Sequence, residues 1–103
     1  MGYAAIGRKS MLQVQRHIRG LSQDTLLVFL TEHAKQQMKK RKVLRAEVME
    51  CLRCGQIHRT PEPNPSKGNL EVRMEYYVAG RQLKVVVALC DEDPDLLVVT
   101  VIG

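Results

Sequence analysis

The chain has 103 residues, a hydrophobic content of 45% and a formal net charge of +5. This length fits one domain, and the apolar content supports a packed core. No segment approaches the roughly 20 consecutive apolar residues of a membrane span. The first residues also lack the apolar stretch of a secretory signal. We therefore expect a cytoplasmic protein that does not contact membranes.

The positive charge is concentrated in the first part of the chain. Residues 1–60 contain 12 Lys or Arg against 4 Asp or Glu, whereas residues 61–103 contain 4 against 7. One side of the molecule should therefore attract polyanions, with nucleic acid as the first candidate and an acidic protein as the second. Aromatic residues are scarce, which argues against recognition that depends on stacking unpaired bases.

The first part of the chain predicts helices. Apolar residues at helical spacing predict a helix over residues 8–21. The apolar run within residues 24–29 predicts a short strand or the lead-in to the next helix. Thr31 fits the N-cap of a second helix, and the basic run at residues 39–42 lies near the C-terminal end of that helix, where cations are favoured.

A third helix is predicted over residues 44–54, with Gly55 as its left-handed C-cap. Residues 60–69 contain three closely spaced prolines and predict a surface loop. From residue 70 onward the apolar residues alternate with polar ones, which predicts three strands separated by turns at residues 79–81 and 91–95.

These elements predict an α+β fold in which N-terminal helices pack on one face of a small antiparallel β-sheet. We interpret residues 1–103 as a single domain. Its parts are an N-terminal helical extension (1–23), a helical half with a basic face (24–55), a Pro-rich loop (56–69) and the sheet (70–103).

Three polar residues of the second helix, His33, Gln37 and Arg41, follow one another at i, i+4 steps and form one stripe beside the apolar pair Ala34 and Met38. An imidazole can move protons near neutral pH and a guanidinium can hold an oxyanion, so this stripe suggests a site for phosphate. The alternatives are a histidine that bonds locally at the helix start and an arginine within a solvated charge run.

The predicted strands carry further candidates. Arg73 lies on the polar side of its strand with Tyr77, and Lys84 lies on the next strand; such cations could stabilise a phosphorane. The alternative for Arg73 is a weak ion pair with a neighbouring glutamate. Thr100 is the remaining candidate, and its alternative is a β-branched residue with a satisfied hydroxyl group.

Four residues, Cys51, Cys54, His58 and Cys90, raise the question of a zinc site, because they supply the number of ligands that structural zinc needs. However, Cys51 lies on the apolar stripe of its helix and there is no second Cys pair. We therefore expect free thiols and no metal or other cofactor, and keep a zinc-stabilised interaction domain as an alternative.

The motif H-A-x-x-Q-M-x-x-R is followed by a helix with Glu-Val, a Gly and strands ending in VVTV. With these features in this order, residues 28–103 resemble the domain-of-unknown-function family 4258. The matching residues are His33, Ala34, Met38, Arg41, Glu47, Val48, Gly55, Arg73 and Thr100. Gln37 differs from the family pattern, which usually has Arg at that position.

Members of this family look similar to bacterial toxin ribonucleases of the RelE, ParE and BrnT type. The resemblance implies metal-independent RNA cleavage through the ribose 2′-hydroxyl and an acidic antitoxin or inhibitor protein as partner. It also implies His33, Arg41 and Arg73 as catalytic residues. We expect Gln37, Lys40, Lys84, Tyr77 and Thr100 to bind the RNA. A second copy of the chain is a further candidate partner. The alternative function is a non-catalytic module of the same fold that binds nucleic acid or protein.

Overall fold

The computed structural model describes residues 10–64, 69–78, 80–90 and 93–102. The elements follow in the order α1 (Met11–Leu21), β1 (Val28–Leu30), α2 (Glu32–Arg41), α3 (Arg45–Cys54), β2 (Glu62–Asn64), β3 (Asn69–Val78), β4 (Arg81–Cys90) and β5 (Asp93–Val101). The α+β class is confirmed. Parts of the predicted first helix (residues 8 and 9), of the Pro-rich loop (65–68) and of the two turns (79, 91 and 92) lie outside the described residues.

The sheet has the strand order β1-β5-β4-β3-β2. The meander of β3, β4 and β5 is antiparallel, as the alternating pattern predicts. Two short edge strands extend it: β2 pairs antiparallel to β3, and β1 pairs parallel to β5, so the complete sheet is mixed. The β2 strand lies within the segment predicted as a loop. Its Pro63 is tolerated because an edge strand leaves one side without a hydrogen-bonding neighbour.

One face of the sheet carries the core. Val72, Met74, Val85, Val87 and Val99 are fully buried on this face and pack beneath the helices. The α1 helix contributes Val14 and Ile18 to the same core and contacts α3 and β5. None of the three helices in the described part of the chain has the length and apolarity that a membrane crossing requires.

No helix of the described residues covers the opposite face of the sheet. Its residues are half-buried or exposed and alternate with buried ones along β4 and along β3 as far as Met74, as in antiparallel sheets that face water on one side. We call this surface the open face; on the central strands it comprises Glu71, Arg73, Glu75, Tyr77, Gln82, Lys84, Val86, Ala88, Val98 and Thr100.

The α2 helix begins at the predicted N-cap. The Thr31 side chain accepts a hydrogen bond from the Ala34 N–H at 3.0 Å, and Glu32 lies in the first turn, where it complements the helix dipole. The helix ends at Lys42, whose φ of 56° is left-handed. Because residues other than Gly, Asn and Asp rarely adopt this conformation, the sequence did not indicate it.

The prediction that Gly55 is a left-handed cap of α3 is wrong. Gly55 has φ −69° and ψ 173°, an extended conformation that any residue adopts. Glycine is needed here for a different reason: a Cβ atom at this position would lie 2.3 Å from the Cys51 carbonyl oxygen and 3.0 Å from that of Glu75. The backbone of α3 and of β3 approach each other too closely at this point for a side chain.

Candidate nucleic-acid interface

The polar stripe of α2 forms as the helical spacing predicts. His33 and Arg41 are exposed, and Gln37 between them is half-buried. The Arg41 Nε–H donates a hydrogen bond to the Gln37 side-chain oxygen at 3.2 Å. This bond uses one of the five N–H donors of the guanidinium group, so the group retains capacity for an anion.

The basic character of α2 extends beyond this stripe. Five cationic side chains at its surface are all exposed: Lys35, Lys39, Lys40, Arg41 and Lys42. Within α2 itself only Glu32 opposes them. Together with His33 and Gln37 they form a surface that we call the basic ridge. Such a density of exposed cations creates a positive potential that attracts polyanions.

Two contacts place the basic ridge relative to the sheet. At the start of α2, the Thr31 and Thr100 hydroxyl oxygens are 3.3 Å apart. At its end, Arg81 donates hydrogen bonds of 2.8 Å to the carbonyl oxygens of Arg41 and Lys42. The helix therefore runs along the sheet from the level of Thr100 to the start of β4. The Thr100 hydroxyl is half-buried, and Thr31 gives it a hydrogen-bonding partner.

The cations of the sheet do not form one cleft with His33. Arg73, Val86 and Thr100 lie side by side on three neighbouring strands. With a strand spacing of about 4.8 Å, Arg73 is about 14 Å from the Thr31 position next to which α2 starts. Lys84 lies opposite Glu75, between these two regions. Tyr77, on the same face, is 67% exposed and lies opposite Gln82.

Arg73 instead lines a shallow depression near the other edge of the open face, with a volume of about 140 Å³. We call it the Arg73 pocket; its lining residues are Arg59, Thr60, Glu62, Glu71, Arg73 and Val86. Arg59 and Glu62 form an exposed ion pair at 3.6 Å. The sequence predicted Arg73 as a site residue but not these neighbours, because they depend on how β2 pairs with β3.

Arg81 is a structural residue that sequence reasoning missed. Its Nη2 contacts Glu47 Oε1 at 3.0 Å, and the same carboxylate oxygen accepts the Leu44 N–H at 2.8 Å. The hydrogen bond from Leu44 and, secondarily, the Arg81 guanidinium hold the pKa of Glu47 below its usual value. Arg81 thus connects β4 to the end of α2 and to the start of α3.

The cysteines have different environments. Cys51 is fully buried, and its Sγ donates to the Met74 carbonyl oxygen at 3.5 Å. Burial, with a smaller effect of the nearby Glu75 and Cys54, raises the pKa of the Cys51 thiol to about 12. Cys54 is exposed. Cys51 therefore behaves as a core residue, as its position on the apolar stripe predicts; the Cys90 side chain lies outside the described part.

The sequence model of a family described as "domain of unknown function (DUF4258)" matches residues 30–102. The chain belongs to the DUF4258 family. No curated protein and no solved structure matches the chain significantly. The α1 helix precedes the segment that DUF4258 covers, although Val14 and Ile18 of this helix are fully part of the core.

Most positions that carry the resemblance to DUF4258 have a visible structural role. Ala34 and Val48 are fully buried, and Gly55 lies where two backbones meet. Glu47 is bound by Arg81, and Thr100 contacts Thr31. The exceptions are His33, Arg41 and Arg73, whose side chains reach the surface of the molecule. These three residues are therefore the best candidates for a role beyond folding.

Proposed function

We propose that this DUF4258 protein is a cytoplasmic RNA-binding protein that holds the phosphate backbone with the basic ridge. The observation that supports this proposal is the exposure of all five cations of the basic ridge, four on α2 and Lys42 at its C-cap. Two contacts, Thr31 with Thr100 and Arg81 with the helix end, attach this helix to the sheet. Because α2 is already folded and attached to the sheet, no backbone has to become ordered when these cations bind a phosphate chain.

Binding of this kind depends steeply on salt, because each phosphate that is neutralised releases a counterion. For single-stranded RNA, the slope of log K against log salt concentration changes by about 0.7 for each cation lost from the interface. We expect Lys40→Gln to lower both the affinity for a short uridine oligomer and this slope, as measured by fluorescence anisotropy over a salt series. Arg16→Gln, which removes an exposed charge from α1, is the matched control. Equal losses in both variants would exclude the basic ridge as the binding surface.

A second candidate function, RNA cleavage, is favoured by the position of His33. Its ring is exposed in the first turn of α2, at the end of the ridge that lies nearest the open face. In such a reaction the ribose 2′-oxygen forms a bond to phosphorus and loses its proton, while the bond from phosphorus to the 5′-oxygen breaks and that oxygen gains a proton. His33 is the group that would move one of these protons, and Arg41 would stabilise the phosphorane.

Cleavage is tested by incubating the protein with RNA and with the same sequence carrying a 2′-deoxy substitution. We expect products that end in a cyclic phosphate from the RNA alone. His33→Ala should lower the rate by about 10²–10⁴-fold, as expected for loss of a general acid or base. His33→Ala should leave the affinity within about twofold, because the five Lys and Arg side chains of the basic ridge remain and supply most of the binding free energy. Cleavage by the variant at an unchanged rate would remove His33 from the mechanism.

The basic ridge would also be the docking surface for an acidic inhibitor protein, the partner expected of a toxin ribonuclease. A negative patch on the inhibitor would speed association and compete directly with RNA. This partner is proposed together with the ribonuclease activity, since an inhibitor is needed only if the protein damages RNA.

A further inference from the structure

The Arg73 pocket forms because residues 57–61 do not pair with the edge of β3, although the residues on either side of this segment do. Gln56 exchanges two backbone hydrogen bonds of 2.9 Å with Glu75, and Glu62 pairs with Glu71. Between these two pairs, residues 57–61 arch away from the strand. Every second residue of a strand directs its backbone N–H and C=O to the same edge. Arg73 lies two residues from Glu75, so its N–H and C=O point into this arch. No backbone hydrogen bond joins residues 57–61 to Arg73 in this described segment.

The pocket is lined by two carboxylates and two guanidinium groups, and these charges limit the net charge of a ligand. Glu62 and Glu71 lie directly opposite each other on neighbouring strands, an arrangement that is unfavourable without cations nearby. Arg59 and Arg73 supply these cations. The two carboxylates disfavour a phosphate, and the two guanidinium groups disfavour a metal ion or an amine. A favourable ligand is therefore close to neutral and carries both hydrogen-bond donors and acceptors.

The size and floor of the pocket indicate a flat ring. Its volume is about 140 Å³, close to that of an engineered cavity of about 150 Å³ that accepts benzene. Val86 contributes an apolar surface from the centre of the open face. The pocket is open on one side, so a ring can enter while a sugar attached to it stays outside. A nucleobase has this combination of shape and polarity.

We propose that the Arg73 pocket binds a guanine base of the RNA held by the basic ridge. Guanine presents two adjacent donors, N1–H and the N2 amine, which a carboxylate such as Glu62 can accept together. It also presents two adjacent acceptors, O6 and N7, which match the fork of a guanidinium group such as Arg73. Adenine, cytosine and uracil lack one or both of these pairs.

This inference rests on the proposed function, since the RNA strand brings the base to the pocket. Arg73 and Thr31, the residue before α2, are about 14 Å apart across the sheet, and the basic ridge continues from there on α2, which packs on the core side of the sheet through Ala34. The open face between them, with Val86 and Thr100, contains no charged side chain in this row. An RNA strand can therefore pass from the start of the basic ridge, round the β1 edge of the sheet, and along this row to the pocket without passing a carboxylate.

The test compares short uridine oligomers that contain one central guanosine, adenosine, inosine or 7-deazaguanosine, with anisotropy as the readout. We expect about tenfold tighter binding for guanosine than for adenosine, the typical discrimination of one good bidentate contact. Inosine, which lacks the N2 amine, and 7-deazaguanosine, which lacks N7, should each lose most of this preference.

Variants assign the preference to the pocket. Glu62→Gln and Arg73→Lys should reduce the preference for guanosine to below about twofold. Both changes preserve most of the side-chain volume, and Arg73→Lys also keeps the charge. Glu50→Gln, the same chemical change at an exposed position on α3, is the matched control and should retain the preference. Retained preference in both pocket variants would overturn the inference.

The outcomes separate this inference from the proposed function. Salt-dependent binding that Lys40→Gln weakens but that is equal for guanosine and adenosine would leave the RNA-binding function and refute the guanine pocket. If no oligomer binds, the proposed function fails, and the uncharged nucleoside guanosine is titrated while the amide resonances of Thr60 and Arg73 are followed by NMR. Shifts of these resonances would support the pocket as a guanine site, and their absence would overturn it.

Discussion

Glu47 Oε1 is shared between two donors, the Arg81 guanidinium at 3.0 Å and the Leu44 N–H at 2.8 Å. The Glu47 side chain is only 12% exposed. One carboxylate oxygen therefore closes the first turn of α3 and also fixes the arginine that holds the last carbonyl groups of α2. The orientation of the basic ridge against the sheet depends on this contact.

The first prediction follows from the lowered pKa of Glu47, whose ordinary value is 4.5. A carboxyl group with a lower pKa in the folded state stabilises the fold above its unfolded pKa, and this contribution is lost as the pH falls through the folded pKa. The free energy of unfolding of Glu47→Gln should therefore be lower than that of the wild type at pH 7. The difference should shrink at pH values below about 4.5.

Urea unfolding at a series of pH values measures this difference. Glu50→Gln is the comparison on the same helix: Glu50 is exposed, and the amide that replaces it can still accept the hydrogen bond from Tyr76, so its effect at pH 7 should be smaller than that of Glu47→Gln. A constant difference between wild type and Glu47→Gln down to pH 3 would show that the ionised carboxylate is not what the contact requires.

How far the sequence predicts this structure depends on the range of the interactions. The three helices and the meander follow from apolar periodicity, and the Thr31 cap and the stripe from His33 to Arg41 follow from local helical geometry. The parallel pairing of β1 with β5 joins residues that are far apart in sequence, such as Leu30 and Val99. No local pattern encodes such a pairing.

The candidate site also has a part that local sequence predicts and a part that depends on long-range contacts. The basic ridge lies on one helix and was predictable, whereas the neighbours of Arg73 come from the arch and from the register of β2 on β3. The prediction of Gly55 failed because a glycine after a helix usually marks a left-handed cap. Here glycine is required because the carbonyl oxygens of Cys51 and Glu75 leave no room for a Cβ atom. These atoms come together only in the folded protein, so the sequence around Gly55 does not show it.

A pair of glycine substitutions tests this explanation. Gly55→Ala should destabilise the protein by about 1–3 kcal/mol, the usual cost of inserting an atom into a filled space, because the carbonyl oxygens that it meets belong to the backbone. Gly20→Ala is the control: it lies in α1 with no atom within 4 Å of the new Cβ, and should stabilise the helix by about 0.5–1 kcal/mol. Denaturant midpoints measure both. A neutral Gly55→Ala would show that α3 and β3 can separate without cost.

The thiol of Cys51 provides a test of core integrity. Because its pKa is raised to about 12 from an ordinary value of 9.0, the folded state favours the neutral thiol. This contribution to stability is complete below pH 9 and is lost as the pH rises towards 12. In a Cys90→Ser background at pH 8, a thiol reagent should modify exposed Cys54 at once and Cys51 only after unfolding. Rapid modification of both would contradict the burial of Cys51, and mass spectrometry distinguishes the two products.

Two arginines attach α1 to α3 in a reciprocal manner. Arg19 on α1 donates to the Cys54 and Gly55 carbonyl oxygens, at 3.2 and 2.8 Å, beyond the last turn of α3. Arg53 on α3 donates to the carbonyl oxygen of buried Ser22, at 3.0 Å, at the end of α1. Each guanidinium group thus binds carbonyl groups that a helix end leaves without partners, and its charge is favoured there by the helix dipole.

We expect Arg19→Ala and Arg53→Ala each to lower the free energy of unfolding by about 1.5–3 kcal/mol, the range for hydrogen bonds to charged groups. The double variant should lose less than the sum of the two, because both contacts hold the same pair of helices and the first loss already loosens the interface. Arg16→Ala, an exposed arginine on α1, is the control and should change stability by less than about 0.5 kcal/mol. If the losses in the free energy of unfolding were strictly additive, the two contacts would act independently. One contact between α1 and α3 could then break while the other stays intact.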